Sequence, residues 1–268
     1  MKGIIFFLLF YLFFLVDVSF CGVSVMGELT RRYISKPGKR YEGMILVRNK
    51  GSSPSEVKVY GTDYLFYADG RNIYGEAGSH GRSNAEWISL SPNRLAIRPE
   101  ETVSVHYNIQ VPNDPNLKGT YWSMVMAESL EEVNPETLKL EKGKVKMSLR
   151  VVIRHAIQII TDIGNTGISR IKFVDKKVTD ENGNKILQID LENTGERWLS
   201  PLIWVELFNE EGKSMGKIQG SKLRIYPGCS VRHKIHLTDV PKGRYKALIV
   251  ADNGDENIFG SRWNLRIE

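Results

Sequence analysis

Between residues 23 and 268 the apolar side chains recur at every second position, and no stretch shows the three-to-four-residue spacing of a long amphipathic helix. Period two sends alternate side chains to opposite faces of an extended chain. A chain patterned this way hides its apolar faces only by packing sheet on sheet. Strands are expected over 41–47, 57–67, 103–111, 121–127, 145–153, 168–174, 186–191, 202–208, 231–237, 245–250 and 263–267. The separators carry turn chemistry: Lys36-Pro37-Gly38, Asp69-Gly70, Asn182-Gly183, Glu211-Gly212 and Pro227-Gly228. Asn182-Gly183 suits a tight hairpin, because both residues tolerate positive φ.

The signals occur twice, in the same order. Val47-Arg48-Asn49-Lys50-Gly51 has a counterpart in Leu191-Glu192-Asn193-Thr194-Gly195. Ile97-Arg98-Pro99-Glu100-Glu101 answers to Ile225-Tyr226-Pro227-Gly228-Cys229, and Lys118-Gly119-Thr120-Tyr121 to Lys242-Gly243-Arg244-Tyr245. Three ordered matches imply two copies of one antiparallel sandwich of immunoglobulin type. The fold class expected is all-β, with two tandem immunoglobulin-like β-sandwich domains after an N-terminal signal peptide. The divisions are 1–21 for the signal peptide, 22–163 for the first domain and 164–268 for the second. The last boundary falls in the Gly-rich turn 162–167.

Met1-Lys2, the apolar run 3–16 and the small residues around Ser19-Phe20-Cys21-Gly22 have the layout of a secretory signal peptide. The run is shorter than the roughly 20 residues a spanning helix needs. Export to a periplasmic, cell-envelope or extracellular location follows, with no transmembrane segment expected in the mature chain. An alternative fate of Cys21 is an N-terminal lipid anchor, since 18–21 loosely resembles a lipobox. Cleavage after Cys21 leaves Cys229 as a lone thiol. The fold then has no internal disulfide and rests on its apolar core.

Charge is spread evenly. Residues 22–163 carry 19 basic and 16 acidic side chains, and 164–268 carry 17 and 14. No basic cluster forms a nucleic-acid footprint, so no nucleic-acid partner is expected. No constellation supports catalysis, a metal or a cofactor. His233 and His236 are three apart, a spacing that sends them to opposite faces of a strand. His80 sits in a Gly-rich loop with no carboxylate at motif spacing, and Cys229 has no matched histidine. The reading is of a non-enzyme.

Two neighbouring segments stand out. Residues 128–143 form a long charged connector, and 144–154 alternate strictly after it. Val145, Met147, Leu149, Val151 and Ile153 share one face there. A long strand near a sheet edge with such an apolar row can exchange main-chain hydrogen bonds with another chain. The same row can also simply cover the first domain's core.

These residues resemble the periplasmic pilus-assembly chaperones of the PapD type. The resemblance is carried by 29–34 (LTRRYI), 44–49 (MILVRN), 88–92 (ISLSP), 95–99 (LAIRP) and 149–157 (LRVVIRHAI). It implies an exported chaperone that binds an extended strand of a secreted client by β-augmentation. It also implies a basic pair, Arg31 and Arg154, that grips the client's C-terminal carboxylate. One register step would substitute Arg32 for Arg31. The family's late anchor is usually Lys, so Arg154 departs from the pattern. The chain is also similar to extracellular Ig-like proteins associated with WxL cell-wall proteins, through 87–92 (WISLSP), 99–102 (PEET), Val111-Pro112 and 119–121 (GTY). That likeness implies the alternative function, an envelope or cell-surface module binding cell-wall polymer or another surface protein.

Overall fold

The computed structural model describes residues 22–130, 152–254 and 256–268. The strands before residue 164 are β1 (Val23–Met26), β2 (Thr30–Ser35), β3 (Arg40–Asn49), β4 (Ser55–Phe66), β5 (Asn72–Gly75), β6 (Ile88–Ser91), β7 (Arg94–Ile97), β8 (Thr102–Gln110), β9 (Gly119–Ser129) and β10 (Arg154–Ile163). They build two sheets. One has the order β1-β3-β8-β6, the other β2-β10-β9-β4-β5, with β7 also on β4. The remaining strands are β11 (Ile171–Glu181), β12 (Asn184–Asn193), β13 (Leu202–Phe208), β14 (Ser214–Lys222), β15 (Ser230–His236), β16 (Gly243–Asp252) and β17 (Ile258–Ile267). They form β11-β12-β15 and β14-β13-β16-β17. All neighbours are antiparallel except β2 and β10, which run parallel. The protein is all-β, two sandwiches of immunoglobulin type in tandem.

Most expected strands lie where the alternation placed them. The Asn182-Gly183 turn joins β11 to β12 with φ of 54° and 81°. The strand expected over 145–153 falls mainly outside the described residues. Within them, the pairing of that segment begins at Arg154, and Ile153 precedes it in irregular backbone. Short strands β1, β5, β6 and β7 had too few residues to show a period.

The repeat seen in the sequence is a repeat of buried hydrogen bonds. Asn49 closes β3, is fully buried, and donates its amide to Ser53 O (2.7 Å) and Ile97 O (3.1 Å) while accepting from Gly51 N (2.8 Å). Asn193 closes β12, is equally buried, and donates to Arg197 O (2.7 Å) and Ile225 O (2.9 Å) while accepting from Gly195 N (2.9 Å). Even their main-chain N–H groups match, donating to Glu101 O and Cys229 O at 3.0 Å. Each side chain ties the turn after one strand to the Pro-containing turn across the sandwich. Such bonds satisfy carbonyls that burial would otherwise leave bare.

The two halves meet over a wall of rings. Trp122 of β9 stacks on Tyr226 at 4.9 Å and 12°, and donates its indole N–H to Tyr64 O at 3.2 Å. Trp122 and Ile160 thereby join the apolar cluster of the second sandwich. Nearby, Gly119 (φ 75°) lies so close to Glu196 that a Cβ would sit 2.2 Å from its carbonyl oxygen. Only glycine suits both the left-handed backbone and that contact.

Candidate functional site

The strand β10 has one complete neighbour and one incomplete one. It pairs with β9 along its whole length, from Arg154 opposite Glu128 to Ile163 opposite Gly119. Pairing with β2 starts only at Gln158, opposite Thr30. The direction of the main-chain groups follows from two bonds. Ile153 O accepts from Ser129 N (3.4 Å), and Gln158 N donates to Leu29 O (2.8 Å). Peptide groups alternate sides along a strand. Those of Arg154 and Ala156 therefore point away from β9, to the side that β2 does not reach. Among the described residues no backbone group meets them there.

Side chains divide the same strand. Ile157 and Ile159 point into the first sandwich's core. His155 shares that face and places Nε2 2.7 Å from Val23 O, closing the gap between the two sheets below the open edge. Ala156, Gln158 and Ile160 face the second sandwich. Gln158 Oε1 accepts from the Tyr226 hydroxyl (3.1 Å) and from Arg224 Nη1 (3.2 Å). Val152 and Ile153, just before the strand, are exposed at 39% and 42%. Apolar side chains thus border main-chain groups that have no backbone partner on that side among the described residues.

The site residues expected from sequence lie as follows. Val145, Met147, Leu149 and Val151 fall outside the described residues; Ile153 is exposed beside the open edge. Arg31 pairs in register with Ile159 and shares its face, toward the space between the two sheets of the first sandwich. Its Nε is buried without a hydrogen-bond partner, and Nη2 lies 3.4 Å from where a Cβ on Gly27 would sit. Among the described residues Arg31 has no carboxylate partner. Arg154 lies on the other face and is held by Glu128 at 2.9 Å. The Tyr60 hydroxyl and the Arg154 guanidinium together keep the Glu128 carboxyl below the usual carboxylate range. The structure does not bring Arg31 and Arg154 together: five residues of strand and a face separate them. Arg32, the one-step alternative, shares Arg154's face but is bound to Asp162 (2.6 Å) and lies over Trp198 (4.7 Å).

One cation here carried no sequence signal. Arg224 comes from the second half, between β14 and β15, where neither a motif nor a period marks it. Its guanidinium also lies over the Trp198 ring (5.2 Å) and donates to Thr30, Gln158 and Tyr226 oxygens at 3.2–3.4 Å, all neutral. It bridges the start of β2, the first β2-paired residue of β10 and the second sandwich.

The residues weighed for chemistry are structural in their contacts. Cys229 is fully buried, and burial pushes its thiol up to about 11. A thiol that stays protonated at neutral pH is a poor nucleophile. His233 is buried while His236 is exposed on the opposite face of β15. His80 rests against Trp122 at 4.5 Å, and burial lowers its pKa. Among the described residues no group of three or more His, Cys, Asp or Glu side chains could hold a metal, and no helix is long and apolar enough to cross a membrane.

No protein-family model matches the sequence, and no curated protein matches it. Among solved structures the chain is similar in fold to PapD-like pilus chaperones. A chain of a chaperone–tip adhesin complex of CFA/I fimbriae biogenesis matches at 12% identity and a TM-score of 0.48, covering 91% of this chain and 98% of its own. The class 5 fimbriae chaperone CfaA matches at 13% and 0.46, covering 92% and 100%. A chain of the Salmonella enterica SafA pilin–SafB chaperone complex matches at 12% and 0.40, covering 92% and 96%. These identities and scores describe a shared fold and transfer no residue role.

Proposed function

We propose that this is an exported, non-catalytic binding protein that captures an extended strand of a secreted client by adding it to the open edge of β10. The division into a first domain, 22–163, and a second, 164–268, belongs to the same proposal, as does removal of 1–21 on export. The carrying observation is the stretch of β10 that β2 leaves uncovered. Its Ala156 and Arg154 main-chain groups point to a side where no backbone group meets them among the described residues, beside exposed Val152 and Ile153. Unpaired edge groups next to apolar side chains are the elements of strand addition.

The geometry also supports a direction. A strand laid in line with β2, ahead of its start, runs parallel to β10 and ends near Leu29 and Thr30. Arg31 waits there as a cation without a carboxylate partner among the described residues. A chain end bearing a carboxylate is attracted to it; an antiparallel strand would bring an ammonium instead. Arg31 is therefore the proposed anchor. Arg154, already neutralised by Glu128, contributes less.

The test is native mass spectrometry of the protein purified gently from its host's envelope, as wild type and as Ala156→Pro. Proline at 156 removes an N–H that points to the open edge and leaves the β9 ladder intact. Wild type is expected as a one-to-one complex with a secreted protein, and the variant as a bare monomer of unchanged thermal midpoint. A bare wild-type protein, or equal client recovery with both, overturns the reading.

A further inference from the structure

The second sandwich carries a charged face that strand addition at β10 leaves unused. It is the outer surface of β16 and β17, where Arg244 sits directly opposite Arg266, Lys246 opposite Asn264, and Leu248 opposite Arg262. The polar residues of these pairs are all exposed. Like charges directly across a strand pair repel. Arg266 touches Glu268 at 3.4 Å, but Arg244, Lys246 and Arg262 form no ion pair among the described residues. The opposite sheet of the same sandwich is built differently. There Arg232 meets Asp190 at 2.7 Å, Lys234 meets Glu181 at 2.7 Å and Lys185 meets Asp180 at 3.1 Å. Three cations of that sheet are held by carboxylates, whereas Arg244, Lys246 and Arg262 on the β16–β17 face are held by none among the described residues.

The β16–β17 face is also concave. A shallow trough of about 460 Å³ lies over Arg244, Lys246, Asn264 and Arg266, with Glu210 its one lining carboxylate. A second, of about 390 Å³, continues over Lys246, Arg262 and Trp263. The two share Lys246 and Asn264, so they run on from one another. A flat lipid surface does not enter a trough, whereas a narrow chain does. Along a strand, side chains of one face recur about every 7 Å, a spacing that suits a chain with regularly repeated anions.

We infer that the β16–β17 face binds a linear polyanion, a polymer with repeating phosphate or carboxylate groups, through Arg244, Lys246 and Arg262. The bound polymer relieves the Arg244–Arg266 repulsion, and the site is independent of the client edge on β10.

The experiment uses the full mature chain, with long-chain inorganic polyphosphate and polygalacturonate as separate probes at low ionic strength. Binding of at least one is expected. It should weaken about tenfold or more in Arg244→Gln/Lys246→Gln/Arg262→Gln, and stay within about twofold in the equal-charge control Lys177→Gln/Lys185→Gln/Lys234→Gln. Whichever probe binds identifies the anion. The face variant should melt no lower than wild type, since it removes like charges and breaks no ion pair. The inference is overturned by absence of binding to both polymers, by equal loss in the two variants, or by tighter binding to phosphatidylglycerol vesicles than to either polymer.

Discussion

The last strand of the first sandwich and the last strand of the second hold the same place in the repeat and end at opposite kinds of edge. β10 lies beside β9 as β17 lies beside β16. β10 is covered for part of its length by β2, and its uncovered end carries Ala156 behind exposed Ile153. β17 has no strand on its far side among the described residues, and its outward positions are Ile258, Gly260, Arg262, Asn264 and Arg266. Charged side chains on an edge discourage pairing with another chain. One scaffold, held by equivalent bonds from a buried asparagine, thus occurs twice with different rims. One rim is suited to a strand and the other to charge.

The comparison breaks first if the scaffolds are not equivalent. Asn49→Ala and Asn193→Ala each strip two buried carbonyls and one N–H of their partner. Each should cost about 3–5 kcal/mol, and the two losses should agree within about 1 kcal/mol, as read from urea unfolding. A large cost in one half alone would show that the repeat is only a likeness of sequence.

Acid should separate the halves next. Burial lowers His233 of the second sandwich from 6.5 to about 4, so the folded state keeps it neutral. Below pH 6.5 the unfolded chain takes up that proton and the folded chain does not. The stabilisation is complete above pH 6.5 and is lost as pH falls toward 4, by roughly 3 kcal/mol in all. His233→Leu should flatten the slope of stability against pH in that window. An unchanged slope would assign it elsewhere, for example to His80 of the first half, which burial also lowers.

The β10 edge is sharpened by two arginines. Arg31→Ala should weaken client binding by about 1.5–3 kcal/mol, the worth of a charge-assisted hydrogen bond. Arg154→Ala should change it by less than about 1 kcal/mol, because its exposed ion pair with Glu128 is internal. Titration of both variants with a client peptide checks the order, and the reverse order moves the anchor to the other face.

The smallest effect concerns matched turns. Glu100 (φ 61°) and Gly228 (φ 80°) occupy corresponding positions in the two Pro-containing turns. Gly228→Ala should cost about 1 kcal/mol for a left-handed residue with a Cβ, although nothing lies within 4 Å to clash. Glu100→Gly relieves the same strain but loses the exposed bond from Arg48 (2.6 Å), for a net change near zero. Thermal midpoints distinguish the two.

Much of this architecture was legible in the residues. Alternation located most of the long strands because burial of one face imposes period two. The repeat of Asn-x-Gly turns and Pro-started turns was legible because each needs a particular backbone, and the structure shows what unites them, a shared set of hydrogen bonds from Asn49 and Asn193. Less of the candidate site could be read. Arg31 and Arg154 were paired by resemblance, and the register of β2 on β10 puts them on opposite faces. Arg224 had no local pattern to betray it.

Periodicity and the φ preferences of Gly, Asn and Pro already specify an all-β chain, a sandwich that occurs twice and the turns that close it. Where the parallel β2 strand stops along β10 is a matter of tertiary packing, and it leaves Ala156 without a strand partner on that side among the described residues. That packing also decided that Arg224 reaches Gln158 across 66 residues, and that Arg244 sits directly opposite Arg266. Register and the meeting of distant segments depend on the packing of the whole, and no local pattern records them.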